Sequence, residues 1–171
     1  MKVPSWLGVI RQTAFVVDDI EREANHWVNF NGIGPWFLYN VDIADTTYRG
    51  ETVRMKARMG LAQSGTQQIE LIEPSPEPSI YTEFLNSNRR GIHHVCYWAE
   101  IAAAREHFQS LGCEQAQYGT TRNGNEFLYM TGTENIPFVE IVDPNQSMAT
   151  FFDHVETSAH NWDGSDPVRF L

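Results

Sequence analysis

Gln68-Ile69-Glu70-Leu71-Ile72-Glu73-Pro74 is answered seventy positions later by Phe138-Val139-Glu140-Ile141-Val142-Asp143-Pro144. Each copy sets an acid among apolar residues, then adds two more apolar residues, a second acid and a proline. Such runs read as β-strands, whose successive side chains face opposite ways. A carboxylate inside a strand is costly to bury unless something pairs with it. Two of them at equivalent points suggest one shared partner, and a divalent cation is the economical candidate. Repetition at this distance also means a duplicated structural unit.

Working outward, each phrase closes the same order of elements. Val9 to Val17 is a β-type run, and Asp18-Asp19 open a helix whose apolar face is Ile20, Ala24, Trp27, Val28 and Phe30. Gly32 and Gly34 stop it, and strands follow at about 36–43, 52–63 and 67–73, with Ser64-Gly65-Thr66 as the last turn. Pro74, Pro76 and Pro78, a short helix through Ile80, Phe84 and Leu85, and Arg89-Arg90-Gly91 form the join. The second half repeats the pattern: strand 92–98, helix 101–111, then strands near 113–119, 125–131 and 136–142, with a hairpin turn at Asn123-Gly124. A helix is expected over 147–157, carrying Phe151, Phe152 and Val155, followed by an irregular tail of about a dozen residues. The division is one domain over 1–171: module one about 8–74, linker 75–91, module two about 92–145, and a C-terminal helix and tail over 146–171.

Composition narrows the function classes. The chain is 42% hydrophobic and 12% aromatic, which is ample for a core. Its formal charge of −10 argues against a nucleic-acid partner, whose phosphates need Lys and Arg. No apolar run has the length to span a bilayer, and Met1-Lys2-Val3-Pro4-Ser5-Trp6 does not read as a signal peptide. Cys96 and Cys113 lack CxxC spacing and read as reduced thiols, which fits a cytoplasmic protein, and composition leaves a small-molecule or protein partner open.

Aligning the halves sets Gln12 against His94 on the first strands, as Glu70 stands against Glu140 on the last. In a two-fold arrangement these four side chains converge on one mixed N/O site, suited to Zn, Mn, Fe, Co or Ni with coordination left open. His93, next to His94, is expected to face the opposite way.

The doubled β-α-β-β-β order, Gly91-Ile92-His93-His94-Val95 at the head of the second half and the two Glu-apolar-apolar-acid-Pro endings resemble the vicinal oxygen chelate superfamily over about residues 8 to 145. Gly34-Pro35-Trp36-Phe37, Tyr48-Arg49-Gly50 and Gln63-Ser64-Gly65 are most similar to its methylmalonyl-CoA epimerase-like branch. The resemblance implies an α+β fold of two tandem βαβββ modules forming a cupped, barrel-like mixed sheet with helices outside. It also implies a homodimer and one divalent metal (Zn, Ni, Co, Mn or Fe(II)) held by Gln12, Glu70, His94 and Glu140. Glutamine at position 12 is the glyoxalase I ligand type, where epimerases carry histidine. Pro74 stands where glyoxalase I carries an asparagine that helps hold glutathione. One histidine fewer than the extradiol set argues against oxygenase chemistry.

The expected activity is that of a metal-dependent lyase or isomerase acting through a stabilised enolate or enediolate, with Glu140 or Glu70 as the catalytic base. Trp98, Tyr48, Arg49 and Arg122 are the candidate substrate-binding residues. Two alternatives stand beside it: a metal-free small-molecule binding or resistance protein on the same scaffold, and a metal-assisted hydrolase or ring-opening enzyme.

Overall fold

The computed structural model describes residues 4–171; residues 1–3, part of the segment read for a leader, lie outside them. The first strand, β1 (Gln12–Val16), buries Gln12, Ala14 and Val16 on one face, and its opposite face must also be covered. The next segment supplies that cover. Asp19 accepts a hydrogen bond from the Arg22 N–H and so caps α1 (Ile20–Asn31), which ends at Gly32 in the left-handed conformation (φ 65°). Ile20 and Ala24 of α1 pack over Leu71, Trp36 and Leu38, with Phe15 against the same cluster. β2 (Trp36–Tyr48), β3 (Glu51–Ser64) and β4 (Gln67–Pro74) complete the first set. α2 (Ile80–Asn86), capped by a reciprocal Ser79–Thr82 box, makes the join.

The second set is β5 (Ile92–Trp98), α3 (Ile101–Ser110), β6 (Gln115–Thr120), β7 (Glu126–Thr131) and β8 (Phe138–Asp143), followed by α4 (Gln146–His160) and β9 (Val168–Phe170). The strands run in the order β3-β4-β1-β5-β8-β7-β6-β2, and β2 pairs again with β3, so eight strands close into a barrel. β9 adds parallel to β2, with Trp36 opposite Val168. The tail, expected to be irregular, therefore ends in a strand. Three residues with Pro167 before them are too few to show a sequence period.

Antiparallel β1 and β5 meet at the centre with Thr13 opposite Val95. A local two-fold axis there carries Gln12 onto His94 and Ala14 onto Cys96. The flanking parallel pairs obey it, since Ala14 lies opposite Glu70 and Cys96 opposite Glu140. Outside the barrel, α3 sets Ala104 and Phe108 on Leu128, Met130 and Ile141, as α1 does for the first half. The ends are closed differently. Ile80, Tyr81 and Phe84 of α2 pack among the inward residues Val16, Ile72 and Phe138, while Phe152 and Val155 of α4 pack on Phe37 and Leu61. Among the described residues no helix is long and apolar enough to cross a membrane.

Candidate metal centre

Pairing register explains why three ionisable groups meet inside the barrel. Ala14 lies opposite both Glu70 and His94, and Glu140 lies opposite both Cys96 and Tyr129. The single methyl of Ala14, fully buried, leaves room between the longer side chains beside it. His94 Nε2 sits 3.3 Å from Glu70 Oε2 and 3.2 Å from Glu140 Oε2. Ligand-capable atoms of all three residues fall within 4.8 Å of one another. Yet His94 Nε2 and Glu70 Oε2 are buried without a hydrogen-bond partner, a state that is costly for groups out of water.

A buried chain behind His94 decides what its Nε2 presents. His93 Nε2 lies 3.3 Å from the Ile80 carbonyl oxygen, and His93 Nδ1 lies 2.9 Å from His94 Nδ1. A carbonyl can only accept, so His93 Nε2 carries a proton and, in the neutral ring, Nδ1 is the acceptor. His94 Nδ1 must then donate. With His94 neutral, its Nε2 offers a lone pair to the space between the two glutamates. This ordering of tautomers, from backbone carbonyl to ring to ring, is the arrangement a ligating histidine needs.

His93 reaches this position because β5 carries a bulge: Ala14 faces His94, but Phe15 faces Ile92, so His93 is the extra residue. Strict alternation put His93 on the opposite face. The bulge brings it inward instead, among Phe138, Phe84 and Tyr81, with ring centroids 4.9, 5.1 and 5.3 Å away. Burial and the charge on His94 hold its pKa well below the ordinary imidazole range, so it stays neutral.

Electrostatics separate the three groups. Burial alone would depress His94, but the negative charges of Glu140 and Glu70, 3.2 and 3.3 Å away, outweigh it and lift its pKa to about 9. Burial pushes the Glu140 carboxyl up, yet positive His94 together with hydrogen bonds from Tyr129 and Cys96 brings it below its usual range. Glu70 has His94 alone to lower it; burial, reinforced by the charge of Glu140, leaves it raised. Glu140 is thus the anchored carboxylate and Glu70 the freer one. Gln12 Nε2 donates to Gln68 Oε1 at 2.8 Å, so its carbonyl oxygen is the free end of the amide.

The donor set fits a divalent ion. One ring nitrogen and two carboxylates stand at spacings compatible with metal bonds of about 2.0–2.2 Å, His94 Nε2 and Glu70 Oε2 among them have no hydrogen-bond partner, and Gln12 lines the same cavity as the two glutamates. Beyond them opens a cavity of about 1210 Å³, lined by Gln12, Glu70, Glu140 and Tyr129 at its floor. β2 accounts for its mouth. One edge of β2 takes β9 at residues 36–38 and β6 at 47–48, and between them that edge has no partner strand among the described residues. Asn40–Asp45 across from Thr120–Asn123 rim the gap.

Of the substrate-binding candidates, only Arg122 borders this cavity. Arg49 grips both Glu83 oxygens (2.7 and 3.1 Å) and Tyr48 donates to the same carboxylate at 2.9 Å, which ties both to α2. Trp98 stacks on Phe152 (centroids 4.7 Å apart, 13° between planes) beneath the Arg11 guanidinium at 4.2 Å. The structure adds Tyr39, whose phenol is held protonated by burial and by Glu70 and Glu140. It also adds Tyr81, bonded to the Tyr129 hydroxyl at 2.9 Å. Tyr39 stands one strand residue inside the mouth, and its alternation with exposed Asn40 was the available sign of it.

Two βαβββ sets around an inward cluster of Glu, His and Glu define a paired-module barrel whose interior could hold a cation. A family model described as the Glyoxalase/Bleomycin resistance protein/Dioxygenase superfamily matches residues 11–154. The chain belongs to that superfamily, the vicinal oxygen chelate proteins. Methylmalonyl-CoA epimerase from Mycobacterium tuberculosis is similar in structure, with a TM-score of 0.59 at 14% identity, covering 88% of this chain and 97% of that one. A Streptomyces coelicolor methylmalonyl-CoA epimerase variant in complex with 2-nitronate-propionyl-CoA gives 0.54 at 15% identity, with 80% and 94% covered. A 4-hydroxymandelate synthase mutant from Streptomyces coelicolor gives 0.52 at 10% identity, covering 78% of this chain and 48% of that one. At these identities the likeness is one of fold. No curated protein sequence is significantly similar to the chain.

Proposed function

We propose that the protein is a divalent-metal-dependent isomerase or lyase that moves a proton on the carbon next to a substrate carbonyl. The observation that carries this reading is the buried triad: His94 Nε2, unpartnered, within 3.3 Å of two carboxylates, Glu70 and Glu140, that line a large cavity. His94, Glu140, Glu70 and Gln12 would hold the ion, which when bound supplies Lewis-acid stabilisation of negative charge on a substrate oxygen.

The chain's own groups divide the remaining work. Glu140, opposite Tyr129 and Cys96 in the strand register, stays ionised. Glu70 lies opposite Ala14 and Leu61, which offer no polar side-chain group, and we assign it as the base that takes the proton and returns it. Tyr39 and Tyr81, held as neutral phenols, are O–H donors facing the same cavity. The free thiols Cys96 and Cys113 support a reducing, cytoplasmic setting, and a homodimer is part of the same proposal.

The test is metal content together with solvent deuterium exchange into candidate α-oxygenated carbonyl compounds. One divalent ion per chain is expected in wild type and in Glu70→Gln, with exchange lost in the latter. Glu140→Gln should lose the metal. Absence of metal in wild type after reconstitution with Zn, Mn, Ni, Co and Fe(II) would sink the reading.

A further inference from the structure

The chemistry of the cavity wall separates possible substrates. Above the ionisable floor the lining turns apolar: Ile43, Met55, Met59 and Leu61 from β2 and β3, Phe127 from β7, and Phe151 from α4. Three methionines, with Met148 as the third, put soft, adaptable side chains on the surface a ligand would touch. The mouth is electrically balanced. Asp42 and Asp45 face Arg54 and Arg122, and Arg54 is consumed by a two-point pair with Asp42 at 2.6 and 2.7 Å. Among the described residues Arg122 is the one cation of the rim outside any ion pair. A CoA ester presents two linked phosphates and a third on the ribose, and a phosphate cluster of that charge needs several free cations or a row of backbone N–H groups. This rim offers one arginine beside two acids, on a chain of net charge −10.

We infer that the site takes a compact, largely apolar, ring-bearing carbonyl compound with an adjacent oxygen, and not a CoA thioester. The inference rests on the proposed function for the oxygen-bearing end of the ligand and on the wall for the rest. At about 1210 Å³, above the range of about 300–1,000 Å³ usual for drug-sized ligands, the cavity has room for a fused two- or three-ring skeleton; it is the charge of the rim that disfavours a CoA carrier. Arg122 is placed to meet one acidic or polar substituent at the outer end.

Two naphthyl probes keep the inference and the metal reading apart. 2-Acetonaphthone needs the wall alone, whereas 2-naphthohydroxamic acid needs the wall and a metal. Each is titrated calorimetrically into the full chain, metal-stripped and zinc-loaded, beside acetohydroxamic acid and propionyl-CoA. We expect 2-acetonaphthone to bind both forms, and 2-naphthohydroxamate to bind the zinc form at least ~tenfold more tightly than acetohydroxamate. Propionyl-CoA at 1 mM, roughly the weak limit of useful affinity, should displace neither naphthyl probe. Phe151→Ser, at a half-buried position on α4, should weaken both naphthyl probes several-fold and leave acetohydroxamate unchanged. Displacement by propionyl-CoA, or equal affinity of the two hydroxamates, would overturn the substrate class. Zinc uptake with no gain for either hydroxamate would count against the proposed function while 2-acetonaphthone still reports on the wall. If 2-acetonaphthone fails to bind either form, the apolar-ligand inference is wrong whatever the metal does.

Discussion

Replacing His93 by Phe isolates the tautomer chain behind the metal centre. The 2.9 Å contact between His93 Nδ1 and His94 Nδ1 is buried at both ends, with no exposed surface on either residue. Phenylalanine suits the rings of Phe138, Phe84 and Tyr81 around it, but it offers no acceptor. His94 Nδ1–H would then be left unsatisfied at a cost of about 1–3 kcal/mol. Losing an outer partner of a ligating histidine generally lowers metal affinity about 10–100-fold, which is about 1.4–2.7 kcal/mol. The two routes agree, so we expect His93→Phe to weaken zinc binding by one to two orders of magnitude. His93→Gln, whose amide oxygen can accept from the same N–H, should recover part of that loss. The assay is a competition titration against a chromophoric chelator, backed by the visible spectrum of the cobalt-substituted protein. A folded His93→Phe protein with wild-type zinc affinity and an unchanged cobalt spectrum would show that His93 is packing alone.

Three further outcomes follow from the same geometry. In metal-stripped protein His94 titrates at about 9, above the ordinary imidazole value of about 6.5. Its contribution to stability, about 3 kcal/mol at most, is full below about pH 6.5 and is lost as the pH rises through about 9. Urea unfolding at pH 6 and pH 10 should show that loss in wild type and not in His94→Gln. Tyr129→Phe strands the Tyr81 hydroxyl and removes the polar group opposite Glu140; a stability loss of about 1–2 kcal/mol and a weaker metal site are expected, and an unchanged urea midpoint and zinc titration would refute this. In Gly60→Ala the new Cβ would lie 2.5 Å from Leu38 Cδ2 and 3.3 Å from Ile20 Cδ1 beneath α1. Overpacking of that kind costs about 1–3 kcal/mol, and a wild-type melting temperature would show that the helix lifts away freely.

The site was most legible where the two halves agree. Glu70 and Glu140 stood out because a duplicated phrase placed acids where strands bury side chains, and the pairing register sets both beside the central strands as that reading required. His94 followed by equivalence to Gln12. What the sequence concealed lies where local geometry breaks the period. β2 extends to Tyr48, well past the expected end near residue 43, because polar Asp42, Asp45 and Thr47 suit a strand whose edge is partly open to solvent. Arg49-Gly50, with positive φ of 50° and 88°, makes the turn. Tyr48 and Arg49 had the residue types of a binding site, but Glu83 from the linker helix occupies them, a contact between distant elements that no local pattern encodes.

The same distinction bears on how a near-symmetric barrel gains a one-sided centre. The dyad between β1 and β5 relates Gln12 to His94 and Glu70 to Glu140, so pairing alone would give two equivalent halves. Symmetry fails at two points. Gln12 is buttressed by another amide, Gln68, whereas His94 is buttressed by His93, which the bulge turns inward. Glu140 lies opposite the polar side chains of Tyr129 and Cys96, whereas Glu70 lies opposite Ala14 and Leu61. Both asymmetries act in one direction. On the proposed function they would make the second half the fixed anchor, with an oriented imidazole and an ionised carboxylate, and leave the first half a neutral amide and a carboxylate able to change protonation. A centre that only stored a cation would gain nothing from unequal glutamates, whereas one that moves a proton needs one carboxylate to stay and one to exchange. If Glu70→Gln and Glu140→Gln lost metal and proton exchange to the same extent, this division of labour between the halves would fail.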